Sequence, residues 1–598
     1  MRLYNIVTGR GFWQVAFFAF QVKGAIFQSA KDLPTVDYDF IVIGGGNAGN
    51  VVVNRLTENP KINVLLIEAG PSNEGFTDAV IPFLCTMTAP DTAMDWNFTT
   101  TPQTALNGRE IIYPRGHVLG GSTSINYMAH LRGTTSDWNR YASITGDNGW
   151  SWDSLQPYFR KLERWTPPVD GHNTTGQFDP TIHGTDGMLP ISLPGFSQSI
   201  DDRIIETTKQ LSNEFPFNED MNSGNHLGIG WVQASINKGR RSSSATEYLS
   251  DQFIKRPNLH IIVNTRVTRL VKTSVQRGIP VFTTVEFTQS TDGPRSHLTA
   301  KKEIILSAGT VGTPHILLHS GIGDFSSLSK LGIAPLVNLP DVGKNLSDHP
   351  LLENSWLANS TNTFEAVARS PAMAMAEWNA TQQGPLVDTV VNHLGWLRLP
   401  DNATIFEKFD DPSSGANTAH FEFLISNGLL SASIPSTGNF MSITTGVVSP
   451  VSRGSVTLAT SNPFDSPLID PGYLTSEFDL FTMKSAVRSA QRFLSAPIWN
   501  GYIIAPVNGL ENTTTDAGLE AYIRANTVTI FHPVGTAAMS PRGSSHGVVD
   551  PDLLVKGVVG LRVVDLSVLP IVPAAHTQAP AYIIAERASD IIKAAWKL

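Results

Sequence analysis

The clearest hydrophobic pattern in the chain is a strand, a helix and a second strand near the N-terminal end. Phe40 to Ile43 is a continuous apolar run followed by glycines, which predicts a short buried strand of a parallel sheet. Apolar residues from Ala48 to Leu56 recur at helical spacing, and Val64 to Ile67 is a second apolar run. This order predicts two parallel strands joined by a crossover helix.

Related patterns recur much later in the chain. Ile304 to Ser307 predicts a buried strand that breaks at Gly309 into a helix, and Val563 and Val564 predict another strand that ends at Asp565. The stretch FMSITTGVVSPVSRGSVTLAT instead indicates antiparallel strands. We therefore predict an α/β chain, α+β overall, in which a Rossmann-like nucleotide-binding domain is interleaved with a cap domain built on an antiparallel sheet with helices.

The predicted domains alternate along the chain. The nucleotide-binding domain takes residues 38–135, 231–330 and 526–598, the last of which also carries candidate catalytic residues. The cap takes residues 136–230 and 331–525. Residues 1–30 combine Arg2 and Arg10 with an apolar run and are predicted to be a secretory leader.

Composition narrows the class of protein. A net charge of −9 and a pI near 5.9 argue against a nucleic-acid partner or a stable membrane association. Cys85 is the only cysteine, which excludes an intrachain disulfide and a cysteine metal site, and the histidines show no metal-ligand spacing. We therefore predict no metal. Seven N-glycosylation sequons favour a secreted, extracellular protein, and we expect a monomer.

The loop after the first strand has the glycine spacing of a dinucleotide-binding motif. Gly44 permits a tight turn, Gly46 lets the backbone approach a pyrophosphate, and Gly49 lets helix and strand pack closely. Glu68 ends the next strand, where a carboxylate can accept hydrogen bonds from ribose hydroxyls, and this disfavours NADP. The motif alone does not separate FAD from NAD.

Three further stretches make the chain resemble a known family. YPRGHVLGGSTSINYMAHLRG (residues 113–133), GTVGTPHILLHSGIG (residues 309–323) and the C-terminal stretch Phe531 to Pro580 resemble the signature segments of the glucose–methanol–choline (GMC) oxidoreductases. RSSSATEYL, NLSDH and ATSNPFDSPLI are similar to the fungal aryl-alcohol oxidase subgroup. The resemblance runs from about Tyr38 to the C-terminus and implies an FAD cofactor, with residues 113–133 as the flavin loop.

The resemblance also implies the site residues. Those expected to bind FAD are Gly44, Gly46, Asn47, Ala48, Gly49, Glu68, Gly121, Ser122, Asn126, Val267, Asp565, Thr577 and Gln578. His532 is expected to be the catalytic base and His576 its hydrogen-bonding partner on the substrate oxygen. The expected substrate pocket contains Tyr127, Phe531, Glu422 and Leu430. Leu430 stands where aryl-alcohol oxidases usually carry an aromatic residue, and Asn126 where they often carry histidine.

By this resemblance the chain oxidises primary aryl or allylic alcohols to aldehydes. A hydride goes to flavin N5, a histidine takes the hydroxyl proton, and O2 reoxidises the flavin to give H2O2. Three alternatives stay open: a GMC alcohol dehydrogenase that uses quinones as acceptors, a mandelonitrile-lyase-like enzyme without net redox chemistry, and a non-catalytic FAD-binding protein.

Overall fold

The computed structural model describes residues 25–430 and 434–598. Residues 1–24, most of the predicted leader, lie outside the described residues. The end of that predicted leader belongs to the fold, because Ala25–Phe27 is a strand that pairs with Leu259–Ile262. Secretion stays a prediction.

The nucleotide-binding domain is built on a parallel sheet of six strands. In spatial order they are Ala25–Phe27, Leu259–Ile262, Val64–Ile67, Phe40–Ile43, Glu303–Leu306 and Leu561–Val563. Phe40 lies opposite both Val64 and Glu303, so the first strand of the glycine motif occupies the middle of the sheet. The helix Asn47–Leu56 follows that strand directly. The predicted Rossmann-like arrangement is confirmed.

A second, antiparallel sheet of seven strands forms the cap. Six of its strands run in the order Ile503–Val507, Pro350–Ala358, Phe440–Val447, Phe421–Ser426, His393–Leu397 and Gly228–Trp231, and Val528–Thr529 also pairs with Pro350–Ala358. Gly454–Thr457 does not join this sheet, although it lies in the same alternating stretch as Phe440–Val447. It pairs instead with Lys344–Leu346 and Leu468–Asp470.

Helices and small sheets complete the architecture. The helices are Asn47–Leu56, Thr77–Val80, Thr135–Thr145, Trp152–Leu162, Asp201–Gln210, Ser244–Tyr248, Asp251–Ile254, Gly309–His319, Phe325–Lys330, Phe364–Arg369, Pro371–Thr381, Glu477–Phe493, Asp516–Asn526 and Gln578–Trp596. The strands Arg266–Gln276, Ile279–Thr288 and Ser296–Thr299 form a separate antiparallel sheet. Two-stranded sheets pair Phe98–Thr99 with Ile112–Tyr113, Glu163–Trp165 with Leu189–Ile191, Ile236–Asn237 with Arg240–Arg241, and Ile322–Gly323 with Val337–Asn338.

Two large hydrophobic cores correspond to the two main sheets. One core surrounds the parallel sheet and includes Trp138, Phe159 and Ile191, which lie in the first segment predicted for the cap. The other contains Phe215 and Ile229 from the same segment, together with the strands of the cap sheet. The predicted domain limits stay a prediction, and the packing divides 136–230 between the two cores.

Six of the seven sequon asparagines have exposed side chains; they are Asn97, Asn173, Asn359, Asn379, Asn402 and Asn512. The seventh, Asn345, is half-buried and donates a hydrogen bond to the carbonyl of Pro570 over 2.8 Å. Within residues 25–430 and 434–598, no helix combines the length and apolar character needed to span a bilayer.

Candidate active site

Two glycine-rich loops pack closely against each other: the loop from Gly44 to Gly49 and the predicted flavin loop at Gly121. Gly44 has φ +98°, and a Cβ there would lie 2.4 Å from the carbonyl oxygen of Ser307. A Cβ at Gly49 would lie 2.0 Å from the oxygen of Gly44, and one at Gly121 would lie 2.7 Å from Cα of Gly46. Side chains are therefore excluded where the first loop meets the predicted flavin loop, and backbone free of side chains suits close contact with a flat, phosphate-bearing ligand.

Glu68 lies at the carboxyl end of its strand, as predicted. Its carboxylate accepts hydrogen bonds from the backbone N–H of Gly45 and of Gly70, each over 2.7 Å. Burial raises the pKa of Glu68 to about 7, and these backbone bonds oppose the rise. The segment leading into Val267 runs beside it, because Thr265 donates its N–H to the carbonyl of Glu68.

Asp565 joins the end of the last parallel strand to the helix Gly309–His319. It accepts hydrogen bonds from the N–H of Gly309 over 3.0 Å, from the hydroxyl of Thr313 over 2.6 Å, and from the N–H of Ser567 over 2.8 Å. Burial raises its pKa. These bonds use both carboxylate oxygens of Asp565. Asp565 therefore fixes its own loop against the start of the helix Gly309–His319.

The predicted flavin loop is bonded to the start of the C-terminal helix. Asn126 donates to the side-chain oxygen of Gln578, and Asn47 donates to the Gln578 carbonyl over 3.0 Å. Arg241 donates to both the carbonyl and the side-chain oxygen of Asn126, over 2.6 and 2.8 Å. Ser122 accepts from the N–H of Gly116 over 3.2 Å, and Thr577 is the N-cap residue of the helix.

This region fits the dinucleotide that the sequence predicts. Asn47 Oδ1 and Ser307 Oγ are buried polar atoms without a hydrogen-bond partner among the described residues. The helix Asn47–Leu56 has glycine as its N-cap and no side-chain cap, and Ala48 is buried in its first turn. A helix N-terminus of this kind presents N–H groups that attract phosphate. The residues therefore suit FAD, and the placement of Glu68 at its ribose and of Asn126 at its ring stays a prediction.

His532 lies between a carboxylate and a second histidine. Its backbone N–H donates to Asp348 Oδ1 over 2.8 Å, and its Nδ1 lies 3.1 Å from Nδ1 of His349. Burial, followed by the charges of His576, His349 and Arg115, lowers the pKa of His532 well below its ordinary value. The ring is therefore neutral near physiological pH and is able to accept a proton.

His576 has a different partner. Its Nε2 lies 3.1 Å from Oε2 of Glu422, which is fully buried. Trp396 meets the same imidazole edge-on, with ring centroids 6.0 Å apart. Glu422 and Trp396 are paired residues on neighbouring strands, so both project from the same face of the cap sheet. The rings of His532 and His576 are 4.8 Å apart and nearly perpendicular.

The predicted substrate pocket is assembled only in part. Tyr127 and Leu430 pack in one apolar cluster with Leu351 and Ile530. Burial, followed by the charges of Cys85 and Glu353, raises the pKa of Tyr127. Phe531 is outside that cluster; its φ is +66°, and its carbonyl accepts a hydrogen bond from Arg115 over 2.7 Å. The left-handed backbone at Phe531 marks a sharp bend immediately before His532.

Sequence reasoning assigned no role to Asp348 and His349, the residues that contact His532. Asp348 accepts hydrogen bonds from Thr529 over 2.9 Å and from Tyr113 over 2.7 Å, and also from Tyr473. The available signal was the motif NLSDH, which ends in Asp348 and His349. Arg241 was also missed; burial lowers its pKa to about 10. No metal-binding cluster of His, Cys, Asp or Glu occurs in the described ranges 25–430 and 434–598.

Comparisons with known proteins agree with this geometry. Models described as GMC oxidoreductase match residues 38–351 and 450–585. A pyranose dehydrogenase of Agaricus campestris is 44% identical over 600 residues, covering 97% of this chain and 98% of the relative.

Two solved structures extend the comparison. A formate oxidase of Aspergillus oryzae, from a study of FAD modification, is 27% identical with a TM-score of 0.85, covering 94% of this chain and 99% of that chain. A fungal aryl-alcohol oxidase is 28% identical with a TM-score of 0.80, covering 94% of this chain and 100% of that chain. The chain belongs to the GMC oxidoreductase family, and its cofactor is FAD.

Proposed function

We propose that this chain is an FAD-dependent dehydrogenase that oxidises a hydroxyl group of a sugar or simpler alcohol, with His532 as the base. The observation that carries the proposal is a pair of imidazole rings that have different surroundings and whose centroids are 4.8 Å apart. His532 has a strongly lowered pKa, whereas His576 is bonded to a buried carboxylate. FAD, when bound, supplies the acceptor for the hydride that leaves the hydroxyl-bearing carbon.

The two histidines divide the remaining chemistry. His532 uses Nδ1 for its contact with His349, which leaves Nε2 to take the hydroxyl proton. His576 uses Nε2 for its contact with Glu422, which leaves Nδ1 to form a hydrogen bond with the hydroxyl group. The carboxylate of Glu422 orients His576, and His576 is one of the groups that lower the pKa of His532.

The donor and acceptor are proposed from similarity. The relative that is 44% identical over nearly the whole chain is a pyranose dehydrogenase, which favours a sugar as donor and a dehydrogenase reaction. The acceptor proposed for this reaction is a quinone. A second candidate, oxidation of an aryl alcohol with O2, is favoured by the apolar cluster of Tyr127, Leu430 and Ile530. A flat conjugated alcohol would bury well against such a surface.

Anaerobic flavin reduction tests the proposal directly. We expect D-glucose to bleach the visible flavin band of the purified holoprotein, and benzoquinone to restore it faster than air does. Faster bleaching by anisyl alcohol, with rapid recovery in air and peroxide release, would favour the second candidate. Absence of bleaching by any hydroxyl donor would reject both.

The role of His532 needs a matched variant. We expect His532→Ala to retain FAD and to slow flavin reduction by roughly 10²- to 10⁴-fold, the usual contribution of a general base. His546→Ala, at an exposed histidine, should reduce its flavin at the wild-type rate. If His532→Ala reduces its flavin as fast as the control, His532 is not the base.

A further inference from the structure

His349 is fully buried and lies against the proposed base. Nδ1 of His349 is 3.1 Å from Nδ1 of His532, and the two rings meet at 84° with centroids 5.3 Å apart. The residues are 183 positions apart in sequence.

The contact between two Nδ1 atoms requires one shared proton. If that proton belongs to His532, a neutral His532 has a lone pair on Nε2 and can accept a proton there. If it belongs to His349, the proton of a neutral His532 is on Nε2, which then cannot act as a base. Whether His532 can act as the base therefore depends on which of the two Nδ1 atoms carries this proton.

The surroundings of His349 favour the competent arrangement. Burial and the charge of His576 lower the pKa of His349 to about 3, so this ring is neutral and carries one proton. The backbone carbonyl of Val448 favours a proton on the ring. Because Nδ1 of His349 faces His532, Nε2 is the ring nitrogen left to face this carbonyl, and it has no other partner among the described residues. A proton held at Nε2 leaves Nδ1 as the acceptor for His532.

Asp348 fixes the backbone at both His349 and His532. Its Oδ1 accepts the backbone N–H of His349 and the backbone N–H of His532, each over 2.8 Å. Its Oδ2 accepts hydroxyl hydrogen bonds from the neighbouring strands and loops. One buried carboxylate thus fixes both backbones, and the rings have little freedom to separate.

We propose that His349 is a positioning residue that holds His532 in the tautomer whose Nε2 is unprotonated. The inference rests on the proposed role of His532 as base. Groups that also act on His532 are His576 and Arg115, whose charges disfavour a second proton, and Asp348, which binds its backbone.

Two substitutions at one position separate positioning from packing. His349→Asn keeps an acceptor near the place of Nδ1, and His349→Leu removes it at similar size. We expect His349→Leu to keep FAD and KM while kcat falls roughly 10- to 100-fold, part of what a general base supplies. His349→Asn should recover most of that loss. Equal losses in both variants, accompanied by loss of FAD or a lower Tm, would overturn the proposal.

Nitrogen NMR of protein containing isotope-labelled histidine gives a readout independent of activity. The His532 signals are identified as those lost in His532→Ala. We expect them to report N–H at Nδ1 in the wild type and a mixture of tautomers in His349→Leu. N–H at Nε2 in the wild type, or no change in His349→Leu, would overturn the proposal. If the tautomer depends on His349 while no hydroxyl donor reduces the flavin, only the proposed function fails.

Discussion

At the scale of single residues, the two histidines differ because their neighbours differ. His532 contacts another neutral imidazole, and His576 contacts the carboxylate of Glu422. Burial and the charges of His576, His349 and Arg115 lower the pKa of His532, and of the two rings His576 is the one that contacts a carboxylate. The same side chain can therefore serve as base in one position and as a hydrogen-bonding partner in the other.

Replacing Glu422 by glutamine tests this division of roles. The amide keeps the shape and can still accept a hydrogen bond, but it lacks the negative charge that faces His576. We expect Glu422→Gln to lower kcat by roughly 10- to 100-fold, because a hydrogen bond to a charged group contributes about 1.5–3 kcal/mol. Stopped-flow measurement of flavin reduction checks the change.

The matched control is Asp479→Asn, another buried carboxylate of the cap, which accepts the N–H groups of Val451 and Ser452. It should leave the rate of flavin reduction unchanged even if it lowers Tm. An equal loss of rate in both variants would mean that cap stability, and not the carboxylate beside His576, limits the reaction.

At the scale of elements, glycines allow close packing on both sides of the predicted site. Gly46 and Gly121 abut where the first helix meets the predicted flavin loop. In the cap, Gly446 pairs with both Leu351 and Glu422, and a Cβ on it would lie 2.9 Å from the carboxylate of Glu422. At each of these glycines the missing side chain allows a neighbour to pack directly against the backbone. This holds on the predicted cofactor side and on the predicted substrate side.

Gly49→Ala tests the cofactor side. The added methyl would meet the carbonyl oxygen of Gly44 at 2.0 Å, so the helix must move away from the strand. We expect a cost of about 1–3 kcal/mol from overpacking and a marked loss of bound FAD. The ratio of flavin to protein absorbance, together with Tm, measures both effects.

Gly312→Ala provides the comparison within another helix of the same domain. A Cβ there meets nothing closer than 3.1 Å, and alanine favours a helix by about 1 kcal/mol over glycine. This variant should retain FAD and a Tm near that of the wild type. Full FAD retention in Gly49→Ala would contradict the close-packing argument.

At the scale of the whole molecule, a buried ionic network ties distant segments together. Glu163 accepts a hydrogen bond from Arg132 and lies 2.9 Å from a ring nitrogen of both His130 and His183. The other ring nitrogen of His183 lies 2.9 Å from the carboxylate of Asp220. Burial raises the pKa of Glu163, but Arg132 and the two histidines outweigh it and hold the pKa well below its ordinary value of 4.5. The pKa of His183 is raised from 6.5, since its carboxylate partners outweigh burial.

These shifts predict a pH window for stability. Glu163 contributes fully above pH 4.5, and its contribution is lost as the pH falls from there through its folded pKa. His183 contributes fully below pH 6.5, and its contribution is lost as the pH rises through its folded pKa. We expect Glu163 and His183 together to stabilise the fold most between these limits, where the lowered pKa of His130 acts in the opposite direction. We expect Glu163→Gln to cost about 3–5 kcal/mol by leaving buried charge unpaired.

Thermal unfolding from pH 4 to 8 measures this network. Glu477→Gln, which removes an exposed ion pair with Lys408, should cost at most about 1 kcal/mol and keep the wild-type pH profile. If Glu163→Gln has the same Tm as Glu477→Gln across the range, the buried network does not govern acid stability.

The sequence by itself determined the features that depend on neighbouring residues. The predicted strands Phe40 to Ile43 and Val64 to Ile67 are confirmed residue for residue, and the helix between them begins one residue earlier than predicted, at Asn47. A short apolar run, a glycine loop and a helical period are local patterns, so they can be identified without knowing the rest of the chain. Motifs spread over the chain were likewise enough to recognise the family and its cofactor.

Only the tertiary structure decided which partners meet. His349 reaches His532, Glu422 reaches His576, and Arg241 reaches Asn126 across more than a hundred positions of sequence. Phe440–Val447 and Gly454–Thr457 look alike in sequence, yet they join different sheets. Hydrogen-bond partners and strand pairing depend on long-range packing, and a local pattern of hydrophobic and polar residues carries no information about which distant segment will lie alongside it.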